Sequence, residues 1–323
     1  MNVLITGAAG FLGQRLATSL LSLPHLVDAH GQPQPIDRIR MLDVTASPAS
    51  RHSRLESVVG DLGDAGLMDQ LIDDTTGAIF HLAAVVSGQA EADFDLGMRV
   101  NLDGTRQLLD VCRARGHRPK VVFASSVAVY GGDLPVEVAD GTRLTPQSSY
   151  GTQKAICELL VNDYSRRGFI DGRALRLPTI SVRPGKPNAA LSSFASGIIR
   201  EPLNGIDAIC PVAPDITLWL LSPARVIECF ITACNMDGSL LGTDRSLILP
   251  GLAVTVADMV SALSRVAGAD VAARVRWERD PRVEKVANTW PGRLDATRAL
   301  SLGFPTDTSF DAIIRQYMEE QGR

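Results

Sequence analysis

The chain has 323 residues, of which 45% are apolar and 21% charged, values that suit a globular protein with a sizeable buried core. With 32 basic against 36 acidic side chains the net charge is −4, which excludes the positive footprint that a nucleic-acid backbone demands and leaves small molecules as the expected partners. Five cysteines, Cys112, Cys157, Cys210, Cys229 and Cys234, are scattered with no Cys-x-x-Cys spacing; neither a disulfide framework nor a metal site is expected, and reduced thiols suit the cytoplasm.

The first apolar run, Asn2-Val3-Leu4-Ile5-Thr6, reads as a strand. It leaves no room for a secretion signal, no later run approaches a membrane span, and no membrane association is expected. Gly7-Ala8-Ala9-Gly10-Phe11-Leu12-Gly13 follows at once and leads into an amphipathic helix to about Leu23. Strand, glycine turn and helix in that order let backbone N–H groups approach a pyrophosphate at the positive end of a helix dipole. The prolines of residues 24–35 predict a loop, and Arg38-Ile39-Arg40-Met41-Leu42 a second strand ending at Asp43. A carboxylate there can accept from the hydroxyls of an adenosine ribose and would repel a 2′-phosphate, favouring NAD over NADP. A third strand, Ser57-Val58-Val59-Gly60, runs into Asp61-Leu62, where an acidic side chain could reach the adenine amino group. A fourth, Ala78-Ile79-Phe80-His81-Leu82, runs into Ala83-Ala84, whose small side chains permit close approach of a cofactor. His81, inside an apolar strand, reads as a satisfied core histidine.

Residues 91–116 predict one long helix containing Asn101, followed by the strand Lys120-Val121-Val122-Phe123-Ala124-Ser125-Ser126. Strands alternating with helices at this spacing imply a parallel, doubly wound α/β sheet, with ligands beyond the C-terminal strand ends. A further helix starts at Ser149 and carries Tyr150 and Lys154 four residues apart, hence on one face. A nearby cation favours phenolate over phenol, so the pair can serve as an acid/base centre; the sheet can bring it to the hydroxyl of Ser125 or of Ser126.

The glycine turn, His81-Leu82-Ala83-Ala84, Asn101-Leu102-Asp103-Gly104-Thr105, Ser125-Ser126-Val127-Ala128-Val129-Tyr130-Gly131 and Tyr150-x-x-x-Lys154 together resemble the extended short-chain dehydrogenases/reductases, the NAD-dependent epimerase/dehydratase group. The resemblance implies a Rossmann domain, bound NAD and a serine–tyrosine–lysine catalytic set. Gly7, Gly10, Phe11, Leu12, Gly13, Asp43, Asp61, Leu62, Leu82, Ala83, Ala84, Asn101, Tyr150, Lys154 and Pro178 are the expected cofactor contacts. By motif position Ser126 matches the catalytic serine, with Ser125 an adjacent candidate. Val127-Ala128 stand where a dehydratase carries an Asp-Glu pair, which disfavours dehydration. The stretches Val85–Glu91, Ser149–Glu158 and Arg176–Ala190 resemble a branch of the family that oxidises C2 of a four-carbon sugar acid with NAD. Two other readings fit the motifs less well: a nucleotide-sugar 4-epimerase that retains NAD, and a non-catalytic NAD-binding sensor, which the presence of Ser, Tyr and Lys opposes.

For the substrate, Ser87 near the end of the fourth strand is a candidate hydroxyl contact, with Ser125, Ser126 and Tyr150 at the reacting carbon. Arg183 and Lys186, held among prolines, suit a small anion. The remaining pattern predicts helices at 192–200, 223–235, 255–267, 295–302 and 309–320 and strands at 246–249 and 274–277. On this reading residues 1–177 form the NAD-binding domain, with 218–238 returning to it, and residues 178–217 and 239–323 form a smaller, interleaved α/β substrate domain. A homodimer paired through the helices that carry Asn101 and Lys154 is implied by the resemblance.

Overall fold

The computed structural model describes residues 1–47, 52–185 and 190–322, which fall into two compact units. The first comprises Met1–Ser126, Ser148–Arg176 and Ile227–Leu247; the second comprises Val127–Gln147, Leu177–Val226 and Ile248–Arg323. No helix among the described residues is long and apolar enough to cross a membrane.

The first unit is built on a seven-stranded sheet. Its strands are β1 (Asn2–Thr6), β2 (Arg38–Asp43), β3 (Leu55–Val59), β4 (Thr76–His81), β5 (Lys120–Ser126), β6 (Asp171–Leu177) and β7 (Ser246–Ile248), in the order β7-β6-β5-β4-β1-β2-β3. The β1–β2, β1–β4, β2–β3 and β4–β5 pairings are all parallel. Chain order reverses at β1, which lies between β2 and β4, and ligands bind at such a switch point. The strands read as unbroken apolar runs because helices cover the sheet: Val3, Leu4 and Ile5 are fully buried. One core layer packs Leu4, Ile79, Val121 and Phe123 of the sheet with Leu108, Leu109 and Cys112 of one helix and Cys157 and Val161 of another.

Two expectations need correction. Residues 24–35 include a small antiparallel hairpin, Leu26–Val27 with Pro33–Gln34. The long helix of 91–116 is really a series of segments that starts at Ser87: Ser87–Ala92, Phe94–Gly97, a π-helical turn at Met98–Asp103, and then α2 (Gly104–Arg115), the second helix labelled here after α1 (Phe11–Leu21). Asp93 breaks the series because its backbone is extended and its carboxylate caps the next segment, accepting from Leu96 N at 2.9 Å. The helix of the tyrosine and lysine, α3 (Ser149–Arg166), starts as expected, capped by Ser148 Oγ, which accepts from Gly151 N at 3.1 Å.

The second unit holds a three-stranded sheet in which Thr217–Leu221 pairs antiparallel with Leu252–Thr255 and parallel with Thr179–Ile180. A separate parallel pair joins Ala208–Cys210 to Val275–Trp277. Ile198 and Ile199 of the helix Phe194–Leu203, Met259 and Leu263 of Val256–Ala267, and Ile313 and Ile314 of Phe310–Glu320 share its core.

Candidate active site

At the C-terminal end of β1 the chain turns through Gly7, whose φ of +70° is a left-handed conformation that suits glycine. A Cβ there would stand 2.7 Å from Ala83 N, and one on Gly13 would stand 2.5 Å from Gly7 O, so the strand ends and α1 approach more closely than any side chain allows. Gly10 caps α1 with no side-chain acceptor, and no acidic residue occupies the first turn, so the positive helix end stays available to an anion. Phe11 and Leu12, half-buried, open the helix. Asp43 Oδ2 accepts from Ala9 N at 3.0 Å and its Oδ1 from Thr45 N and Oγ1 at 3.0 and 3.1 Å, which leaves a lone pair of Oδ2 for a ribose hydroxyl. Asp61 is exposed and accepts from Gly63 N at 2.8 Å; Leu62 is 5% exposed with its side chain in the core, so only its backbone can serve a ligand. Leu82, Ala83 and Ala84 are half-buried beside the turn, Leu82 N donating to Thr6 O at 3.2 Å. The cradle that a Cβ would fill fits a dinucleotide.

One face of α3 meets the end of β5. Tyr150 is hydrogen-bonded to Ser126, and burial pushes its phenol up to about 12 despite that bond. Lys154, 2% exposed, donates from Nζ to Ala124 O at 2.8 Å and lies 4.6 Å from the Phe123 ring centroid and 5.6 Å from that of Tyr150. Burial lowers its ammonium to about 8, against the opposing effect of Cys157 and Glu158. The sequence expectation that Lys154 lowers the tyrosine is thus overruled by desolvation: both groups are driven toward their neutral forms. The two serines, of which Ser126 is the motif match, engage different residues of α3. Ser125 is 1% exposed and donates to Glu158 Oε1 at 2.5 Å, so its hydroxyl is directed away from the reaction centre and only Ser126 meets the tyrosine.

Behind this face runs an ordered chain of hydrogen bonds. Thr105 Oγ1 donates to Asn101 O at 2.6 Å, so it must accept from His81 Nε2 at 2.8 Å, and that nitrogen carries the ring proton. Nδ1 of His81 then accepts from Thr6 Oγ1 at 2.7 Å, and Thr6 in turn accepts from Ala83 N at 3.2 Å. His81 is held neutral, lowered to about 3 by burial and then by the charge of Lys154. Asn101 Oδ1 accepts from Val85 N at 2.7 Å while Nδ2 donates to Val85 O at 3.0 Å and Gln153 Oε1 at 2.7 Å. With both amide protons used and 3% exposure, Asn101 ties the loop after β4 to α3 and has no proton left for a cofactor.

A glycine cradle, an acidic residue ending β2 and a Ser–Tyr–Lys set at the end of β5 are the geometry of one fold family, and the model described as the NAD dependent epimerase/dehydratase family matches residues 3–219. The chain belongs to the NAD-dependent epimerase/dehydratase family. Among its relatives, the D-erythronate dehydrogenase of Cupriavidus necator is 62% identical over 322 residues, covering 100% of this chain and 99% of that one. A D-erythronate dehydrogenase of Haemophilus influenzae is 45% identical over 320 residues, 99% of each chain. A crystal structure described as the nucleoside-diphosphate-sugar epimerase from Agrobacterium tumefaciens superposes with a TM-score of 0.94 at 42% identity, covering 99% of this chain and 94% of that one.

The other residues expected from the sequence are placed less tightly. Ser87 is half-buried at the start of its helix, and Pro178 is buried. In the second unit Arg183 N donates to Ser196 Oγ at 3.0 Å and Arg183 O accepts from Arg200 Nη1 at 2.8 Å. Its guanidinium has no hydrogen-bond or ion-pair partner among the described residues, and burial followed by repulsion from Arg200 lowers its affinity for the proton. Lys186 lies outside the described residues. The sequence reading passed over Glu158, whose carboxylate takes Ser125 and Arg176; the available signal was an acidic residue four positions beyond Lys154, on the same face of α3.

Proposed function

We propose that the protein is an NAD-dependent dehydrogenase that oxidises the C2 hydroxyl of a small sugar acid, D-erythronate, to the 2-oxo acid. The observation that carries this reading is the Tyr150–Ser126 hydrogen bond with Lys154 behind it, beside the glycine cradle at the strand ends. Identity of 62% over the full length with a D-erythronate dehydrogenase supports the substrate. Gly7, Gly10, Gly13, Asp43 and the N-terminus of α1 would hold NAD, with Lys154 at the nicotinamide ribose. Bound NAD supplies the hydride acceptor and, through its pyridinium charge, favours phenolate. Tyr150 as phenolate takes the proton of the substrate hydroxyl, Lys154 balances the charge, and Ser126 holds the reacting oxygen at hydrogen-bond distance from the tyrosine. Arg183 supplies the cation for the substrate carboxylate, a fork suited to two oxygens. Ser87 would contact a substrate hydroxyl and Lys186 the carboxylate.

The protein is expected to act in the cytoplasm as a homodimer. The five cysteines are buried and stand outside any disulfide, and Phe94, Ile156 and Leu159 expose apolar surface on the helices around Asn101 and Lys154.

Purified protein incubated with NAD and a panel of aldonic acids should generate NADH absorbance with the four-carbon acid. Interconversion of a UDP-hexose without net NADH, and no turnover of any acid, would replace this reading by the epimerase one.

A further inference from the structure

Three successive residues at the end of β5 each engage one residue of a single face of α3. Ala124 O accepts from Lys154 Nζ at 2.8 Å, Ser125 Oγ donates to Glu158 Oε1 at 2.5 Å, and Ser126 is bonded to Tyr150. Tyr150, Lys154 and Glu158 stand at i, i+4 and i+8, one above another. Glu158 is 2% exposed, and its carboxylate is gripped by Arg176 at the end of β6, from Nε at 3.0 and 3.1 Å and from Nη2 at 2.8 Å. A planar fork on a carboxylate has one geometry, so the pair fixes α3 against two neighbouring strands at once.

We propose that Glu158 is the positioning residue of the reaction centre: through Ser125 and Arg176 it holds Ser126 in register with Tyr150, and its charge supports that of Lys154. This rests on Tyr150 and Lys154 being the acid/base pair.

Few charged groups surround Lys154 among the described residues. On its own helix stand Tyr150, Cys157 and Glu158; β4 contributes His81, which is neutral; β5 contributes only the Ala124 carbonyl and the Phe123 ring; β6 contributes Arg176, facing Glu158. Glu158 is the one carboxylate among these groups. It favours the charged lysine. Glu158→Gln removes that negative charge, so Lys154 loses its proton at lower pH, and it loosens the register that holds Ser126 on Tyr150, so phenolate forms at higher pH.

The experiment is the pH profile of kcat/KM for oxidation, paired with a titration of tyrosinate absorbance in the protein without cofactor. The titration is read within milliseconds of a pH jump, with Tyr150→Phe as the blank. In Glu158→Gln the limb set by Lys154 should move down by about one pH unit and the tyrosinate midpoint should move up. Glu158→Asp, which keeps the charge, should keep the limbs in place while lowering the plateau. A purely structural role would lower the plateau of Glu158→Gln and leave its limbs unmoved, and that result overturns the proposal. If Glu158→Gln does not fold, Ser125→Ala, which keeps the ion pair, decides. Its plateau should fall about tenfold with kcat affected and KM for NAD unchanged; a normal plateau sinks the proposal. The tyrosinate midpoint does not depend on the substrate, so a protein inactive on every acid refutes the dehydrogenase reading without touching this one.

Discussion

Both ends of β5 and β6 bury charge, and the two ends are built to opposite purposes. At the N-terminal end Lys120, 2% exposed, donates to Cys234 O at 2.6 Å and Met236 O at 3.1 Å, satisfying carbonyls around the end of the helix Pro223–Asn235. Asp171 takes Arg173 at 3.1 Å and Arg245 at 2.8 Å, and Arg245 also donates to Gly172 O at 2.9 Å. Each charged group there is held by partners from the same unit, and the cluster anchors the segment Ile227–Leu247 to the sheet. At the C-terminal end Lys154 uses one proton on Ala124 O and Tyr150 meets a single serine. The pairing at the N-terminal end contributes stability even though Arg173 Nε stays buried without a hydrogen bond, whereas groups held in place at the C-terminal end, where ligands of this fold bind, can act on one.

Mutation at the two ends should separate rate from stability. The largest effect is expected from Tyr150→Phe, which should lower kcat about 1000-fold while the dissociation constant of NAD, read by fluorescence titration, changes little. A near-normal rate would remove the tyrosine from the chemistry. At the other end Asp171→Asn leaves the buried Arg173 and the half-buried Arg245 without the carboxylate they share and should cost about 3–5 kcal/mol in urea unfolding, with kcat per folded molecule retained. Loss of activity without loss of stability would show that the two ends are not separable.

His81 connects stability to pH. Its folded-state value of about 3 lies below the ordinary histidine value of 6.5, so the unfolded chain binds more protons between those values and stability falls as pH drops through that window. The loss should be of the order of 4 kcal/mol between pH 6.5 and 3, and His81→Gln, which does not titrate, should flatten that part of the unfolding curve. A smaller effect sits in the rate itself. With the phenol of Tyr150 pushed up to about 12 and the ammonium of Lys154 down to about 8, oxidation should quicken by roughly tenfold per pH unit from pH 6 to 8 and level off above that. A rate independent of pH over that range would show that proton removal by the tyrosine is not part of the measured step. Ser126→Ala should slow kcat about tenfold more than Ser125→Ala, since only Ser126 meets the tyrosine.

Much of the first unit was legible because its signals are local. A parallel sheet covered by helices needs apolar runs such as Asn2–Thr6 and Lys120–Ser126, and the Gly7 turn needs a residue that tolerates positive φ beside Ala83, so both left marks in the chain. The series of short helices before α2 was not legible, because apolar spacing continues across Asp93 and through the π turn at Asn101, and only the hydrogen bonds of those residues reveal the interruptions.

The sequence by itself determined the parallel α/β core, the glycine turn, the position of Asp43 and the pairing of Tyr150 with Lys154, since each depends on residue types at short spacing. Tertiary structure decided the rest. The packing of α3 on β5 brought Ser126 to Tyr150 and Ser125 to Glu158, and Asn101 became a tie between Val85 and Gln153. Burial raised the tyrosine that its lysine was expected to lower. Orientation and desolvation depend on neighbours distant in the chain, which is why spacing along the sequence carries no trace of them.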